Sequence, residues 1–133
     1  IPASTDLAKV LDIAEGDELA RIERLRLADG EPMSIEISYL VHRYCPGILQ
    51  HDYADNPLRE MLENIYGVQI VRATQAIRAV STSVGMAERL SIQPQSALLH
   101  IERVSLSQSG VPVEFLQIYH RGDRYVLYNE LKG

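Results

Sequence analysis

The sequence predicts an α+β domain, an antiparallel sheet of about six strands with helices packed against it. Three observations predict it. A helix followed by a hairpin occurs twice, a long alternating segment lies between the two copies, and turn dipeptides ending in glycine join runs of aliphatic and β-branched residues. At 133 residues and 46% hydrophobic, the chain has enough material for one packed core and too little for two, so residues 1–133 are expected to form a single domain.

The repeat is carried by identical residues. Ser4, Ala8, Leu11, Ile13, Leu19, Ile22, Glu23, Arg24 and Leu27 recur as Ser83, Ala87, Leu90, Ile92, Leu98, Ile101, Glu102, Arg103 and Leu106, each 79 positions on. Gly30, Pro32 and Tyr39 then match Gly110, Pro112 and Tyr119 at 80 positions, one residue having been added in the turn. The first helix carries Leu7, Val10 and Leu11 behind Ser4 or Thr5 as cap; the second carries Met86, Ala87 and Leu90. Strands are expected at about 18–28 and 32–41, then at 97–107 and 112–120. Asp29-Gly30 and Ser109-Gly110 supply the turns, because glycine tolerates the positive φ that hairpin loops demand.

Between the copies, Asn56-Pro57 starts a helix with asparagine as cap and proline as first helical residue. Leu58, Met61, Leu62 and Ile65 recur at helical spacing, and Gly67 stops the run. Residues 68–82 alternate and are rich in β-branched side chains, so they read as a long strand. After a turn at Arg121-Gly122-Asp123, a sixth strand is expected from Tyr125 to Tyr128.

Burial fixes hairpin register, since a one-residue slip exchanges the faces. Placing Arg24 opposite Glu36 sets Arg26 opposite Ser34 and joins Leu25 and Leu27 to Ile35 and Met33 on the other side. A two-residue Asp29-Gly30 loop would instead oppose Glu23 and Glu36, so the first register is preferred. In the second hairpin a Ser109-Gly110 loop sets Ser105 opposite Glu114, Val104 with Phe115 and Leu106 with Val113. The two hairpins can then present Arg24, Arg26, Glu36 and Glu114 to a shared cavity; the alternative is that these four are ordinary cross-strand ion pairs on a solvated face. Two arginines at i and i+2 suit a carboxylate or phosphate. The helix opened by Asn56-Pro57 offers a second anion position.

Charge and motifs exclude several classes. Thirteen Lys and Arg against eighteen Asp and Glu give −5, with the basic residues scattered; phosphate neutralisation dominates nucleic-acid affinity, so this segment alone is not expected to bind DNA. No apolar run approaches the roughly 18 residues a membrane helix needs. No export leader is seen, and a chain beginning at Ile1 is expected to have been trimmed. The lone Cys45 suits a reducing cytoplasm and reads as a buried inert thiol. His42, His51, His100 and His120 lack ligand spacing, so neither metal nor cofactor is expected. No phosphate loop, Gly-x-Ser-x-Gly elbow or Cys-His pair marks an enzyme, although Glu36 and Glu114 could act as acid and base if they converge.

Taken in order, Arg24-Leu25-Arg26, Asp29-Gly30-Glu31-Pro32-Met33, Ile35-Glu36 through Tyr39-Leu40, Leu62-Glu63, Tyr66-Gly67, Gly110-Val111-Pro112-Val113-Glu114 and Tyr119-His120-Arg121-Gly122-Asp123-Arg124-Tyr125 resemble the UTRA effector-binding domain of GntR/HutC-type transcription regulators. The resemblance implies a chorismate lyase-like fold, a homodimer, and an N-terminal winged helix-turn-helix, absent from this chain, that binds operator DNA. It implies an effector that is a small anionic metabolite, a phosphorylated sugar or a carboxylate. Matched position by position, Arg24 and Arg26 would hold the anionic group, with Glu36, Asn56, Arg59, Glu114, Tyr119 and His120 as further effector contacts. One departure stands out: a family Ser-Leu-Tyr run is replaced by Pro57-Leu58-Arg59, which removes a hydroxyl and an N–H and adds a guanidinium. A small chorismate lyase-like enzyme acting on a carboxylate is the alternative, and a bare dimerisation module a third reading.

Overall fold

A computed structural model describes residues 1–52 and 57–133. The elements run α1 (Thr5–Leu11), β1 (Leu19–Ala28), β2 (Glu31–Val41), α2 (Leu58–Tyr66), β3 (Ile70–Ser81), α3 (Val84–Leu90), β4 (Ala97–Ser107) and β5 (Pro112–Arg121), with short 3-10 turns at His42–Tyr44 and Ile48–Gln50. Serine opens both short outer helices. The Ser4 hydroxyl accepts from the Leu7 amide and the Ser83 hydroxyl from the Met86 amide, each satisfying a donor that the first helical turn leaves free. The middle helix starts differently. Pro57 has an extended ψ of 136° and caps α2 through its carbonyl, which accepts from Met61, so the first helical residue is Leu58 and not proline. Asn56, the expected cap, lies outside the described residues.

The strands form one antiparallel sheet in the order β1-β2-β5-β4-β3. The sheet has five strands among the described residues, not six. Residues 125–128 make no ladder: the Tyr125 amide donates back to the Arg121 carbonyl in a turn, and Val126 and Tyr128 are 65% and 86% exposed, so no strand lies alongside them.

Hairpin register brings Arg24 opposite Glu36 and Arg26 opposite Ser34, but the ladder then shifts by one so that Leu27 faces Pro32 rather than Met33. The shift lets Arg24 face Glu36 across a hairpin that still closes with the two-residue Asp29-Gly30 loop, both residues at positive φ (51° and 79°). The second hairpin repeats the device. Ser105 faces Glu114 and Val104 faces Phe115, after which Leu106 faces Pro112 rather than Val113. Proline has no N–H to give the ladder, and a bulge is where a strand tolerates that loss.

One face of the sheet is covered by α1, packed on Leu19, Val41 and Phe115, and by α3, packed on Ile35 and Leu98. On the other face α2 buries Leu58, Met61 and Leu62 against Ala20, Ile22 and Leu40, with Cys45 and Ile48 closing the cluster. Burial, and after it the negative charge of Glu114, push the Cys45 thiol up to about 11, which keeps it protonated and inert. This second face is covered over only part of its area, and that leaves room for a cavity.

Candidate functional site

Side chains alternate along a strand, so the face that carries Ala20 and Ile22 under α2 carries Arg24 and Arg26 further along β1. On β2 the same face carries Glu36 and Ser38, on β5 Glu114 and Leu116, and on β4 Arg103 and Ser105. A cavity of about 650 Å³ opens there, between this face and the start of α2. Its charged lining is Arg24, Arg26, Arg59, Arg103 and Glu114; Leu58, Leu62, Ile70 and Leu116 contribute apolar wall. A second depression of about 650 Å³, beside Ser91 to Ala97, holds one guanidinium, that of Arg121. Arg121 is already bound to both carboxylate oxygens of Asp123 and to the Pro32 carbonyl, and a Cβ at Gly122 would lie 2.6 Å from the Ala97 carbonyl oxygen. Arg121-Gly122-Asp123 is therefore a built turn.

Within the first cavity the arginines are held in different ways. Glu36 bridges Arg24 and Arg26, at 3.1 Å to Arg24 Nη2 and 3.4 Å to Arg26 Nε. It orients the pair from beside the cavity and is not in its lining. Arg59, in the first turn of α2, donates from Nη2 to the Ile70 carbonyl at 2.8 Å. Arg103 donates from Nε to Gln75 Oε1 at 3.0 Å, and neither Arg59 nor Arg103 has a carboxylate within ion-pair distance among the described residues. Glu114 sits in the floor, buried, and accepts from the Ser38 hydroxyl at 2.5 Å. Burial raises its carboxyl above the usual range; the Ser38 hydrogen bond and the Arg103 and Arg24 charges oppose that shift without cancelling it.

Of the residues expected at the site, Arg24, Arg26, Arg59 and Glu114 come together on the cavity and Glu36 stands behind the first two. Tyr119 does not join them. It is the neighbour of His120 on one strand, so the two point to opposite faces; Tyr119 lies against His100 with ring centroids 4.3 Å apart, on the α3 side. His120 stacks on Tyr125 at 3.8 Å outside the cavity lining, and burial lowers its pKa from the ordinary histidine value. Asn56 lies outside the described residues. Arg103 is the site residue that sequence reasoning passed over, although the 79-residue offset maps Arg24 directly onto it. Glu36 and Glu114 do not converge on the cavity as an acid and base pair, since Glu36 is held by two arginines outside the lining while Glu114 lines the floor.

Among the described residues no cluster of His, Cys, Asp and Glu is arranged to hold a metal ion, and no helix is long and apolar enough to cross a membrane. The arrangement is a positively charged cavity in an acidic chain, a geometry for holding an anion.

A family model described as the UTRA domain matches residues 1–126. The chain is 29% identical over 125 residues to the HTH-type transcriptional repressor NagR of Bacillus subtilis, covering 94% of this chain and 51% of that protein. It thus spans about half the length of the curated relatives it matches. Among solved structures, a GntR-family transcriptional regulator from Enterococcus faecalis superposes with a TM-score of 0.88 at 28% identity, covering 98% of this chain and 94% of that one. The effector domain of PhnF from Mycobacterium smegmatis superposes with a TM-score of 0.94 at 22% identity, covering 100% and 82%, a likeness of fold.

Proposed function

The chain belongs to the UTRA domain family, and from that membership we propose that it is the effector-binding domain of a GntR-type transcription regulator, sensing a small anionic metabolite in the cavity between β1, β4 and α2. The observation that carries this reading is the lining: four guanidiniums converge on one cavity of a chain whose net charge is −5. Arg24 and Arg26, braced by Glu36, grip the anion. Arg59 adds a guanidinium beside Pro57, which offers neither hydroxyl nor N–H, so the effector is a phosphorylated sugar or a carboxylate held by side-chain charge rather than by a helix-start cradle. His120 stands on the same face of the sheet, opposite Ser34 and beside the cavity, and Glu114 accepts or donates a hydrogen bond at the ligand's middle.

The remaining parts of the reading follow the family. The two helix and hairpin segments are related units of a chorismate lyase-like fold, residues 1–133 form one sensing domain, and the protein works as a cytoplasmic homodimer without catalysing a reaction. A winged helix-turn-helix outside this chain binds the operator. Effector binding shifts the dimer between two arrangements that differ in effector affinity, and so alters how the DNA readers are spaced.

A thermal-shift screen over phosphorylated sugars, amino-acid breakdown products and short carboxylates tests this reading. A saturable rise in melting temperature with an unconsumed ligand supports it. Turnover of chorismate or a similar carboxylate would identify an enzyme instead, and a melting temperature unmoved by every anion would leave a dimerisation module.

A further inference from the structure

Four arginines on one cavity are more than a single anionic group requires, and they fall into two sets with different surroundings. Arg24 and Arg26 project from β1 and share Glu36 on the neighbouring β2, which half neutralises them. Arg103 projects from β4, three strand positions away in the order β1-β2-β5-β4, or roughly 14 Å at the usual inter-strand spacing. Its Nε is tied outward to Gln75 on β3, away from β1, which leaves its two terminal nitrogens for a ligand. Arg59 is drawn to the same side by its bond to Ile70 at the start of β3. This second set has no carboxylate partner among the described residues, and Arg103, the half-buried member, gains most from an anion delivered by a ligand.

Between the two sets the floor is Glu114 on β5, hydrogen-bonded to Ser38 on β2. A carboxyl there disfavours an anionic group over the middle of the cavity and favours a hydroxyl or ammonium. Charge therefore belongs at the ends of the ligand, and the hydrogen-bonding group at its centre.

We propose that the cavity holds two separate anion grips, Arg24 with Arg26 on one side and Arg103 with Arg59 on the other, and so takes a metabolite with an anionic group at each end, such as a phosphorylated acid or a dicarboxylate with a polar middle. This rests on the reading of the cavity as the effector site, and it extends that reading from one anionic group to two. The 79-residue offset gives it a simple origin: Arg24 and Arg103 are equivalent positions of the two matched segments, so each contributes one grip.

The test uses inorganic phosphate as probe and the arginine Nε–Hε NMR signals as readout, on the chain itself and on its Arg24→Gln and Arg103→Gln variants. Two saturable responses are expected, one at Arg24 and Arg26 and one at Arg103. Arg103→Gln should abolish the second while moving the midpoint of the first by less than about twofold, as for independent sites, and Arg24→Gln should do the reverse. Saturation at Arg24 with Arg103 unmoved would overturn the two-grip proposal and leave the effector site standing. Loss of both responses in either single variant would overturn it as well, by showing one shared site. No response at either arginine would overturn the proposal and the site together.

Discussion

Replacing Glu114 with glutamine isolates the most unusual group in the cavity. Its carboxyl is buried, and burial raises its pKa in the folded protein above that of the unfolded chain. The folded state then binds more protons than the unfolded state between those two values, so stability falls as pH rises through that window, beginning at the ordinary carboxyl value of 4.5. The slope approaches about 1.4 kcal/mol per pH unit while the difference is one proton. Glutamine keeps an oxygen to accept from the Ser38 hydroxyl, at 2.5 Å in the parent, and removes the titration. Its amide brings an extra donor, which shifts stability by a constant that does not depend on pH. Urea unfolding of both proteins from about pH 5 to about pH 8 measures the difference. Burial also depresses His100 and His120, but both titrate in parent and variant and cancel from the comparison. Glu114→Gln should gain on the parent steadily with rising pH across the window. Parallel stability curves would refute the reasoning, because they would mean that the Ser38, Arg103 and Arg24 contributions fully offset burial.

Three further outcomes follow from the fold. Leu62→Ala, which removes a side chain 2% exposed between α2 and the sheet, should cost about 2–5 kcal/mol in urea unfolding and loosen the apolar wall of the cavity. Ser4→Ala and Ser83→Ala each delete a cap hydrogen bond of 3.2 Å, and each should cost about 1 kcal/mol by the same measurement. Cys45, buried and pushed up to about 11, should react with a thiol reagent at mildly alkaline pH only as fast as the domain unfolds; rapid labelling of the native protein would contradict its placement.

The parts of this fold that sequence reveals are those with a local cause. Ser4 and Ser83 mark helix starts because a hydroxyl there meets a specific free amide, and the Arg24 to Glu36 register follows from keeping polar and apolar faces apart and Glu23 away from Glu36. The bulges were harder to read. Pro32 and Pro112 announce a missing ladder donor, but whether the strand answers with a bulge at Met33 and Val113 depends on both neighbouring strands. The sixth strand failed for a related reason: alternation at Tyr125–Tyr128 describes a segment able to pair, and pairing also needs a free edge within reach. At the site, Arg24, Arg26 and Glu114 were visible through register, whereas placing Tyr119 beside His120 in one cavity conflicts with strand alternation. Arg103 is visible as a repeat partner but not as a ligand contact, because its significance lies in facing the cavity without an ion pair among the described residues, which only the assembled sheet reveals.

In the proposed function this cavity holds an anionic effector through Arg24, whose guanidinium stands 3.1 Å from Glu36. Calorimetric titration of the compound that most raises the melting temperature, into the parent chain and into Arg24→Glu, tests it most directly. Saturable binding to the parent is expected, with affinity at least about tenfold weaker in the variant, a loss of about 1.4 kcal/mol, while the circular dichroism spectrum of the variant stays that of the folded domain. Unchanged affinity in a folded Arg24→Glu protein would contradict the account.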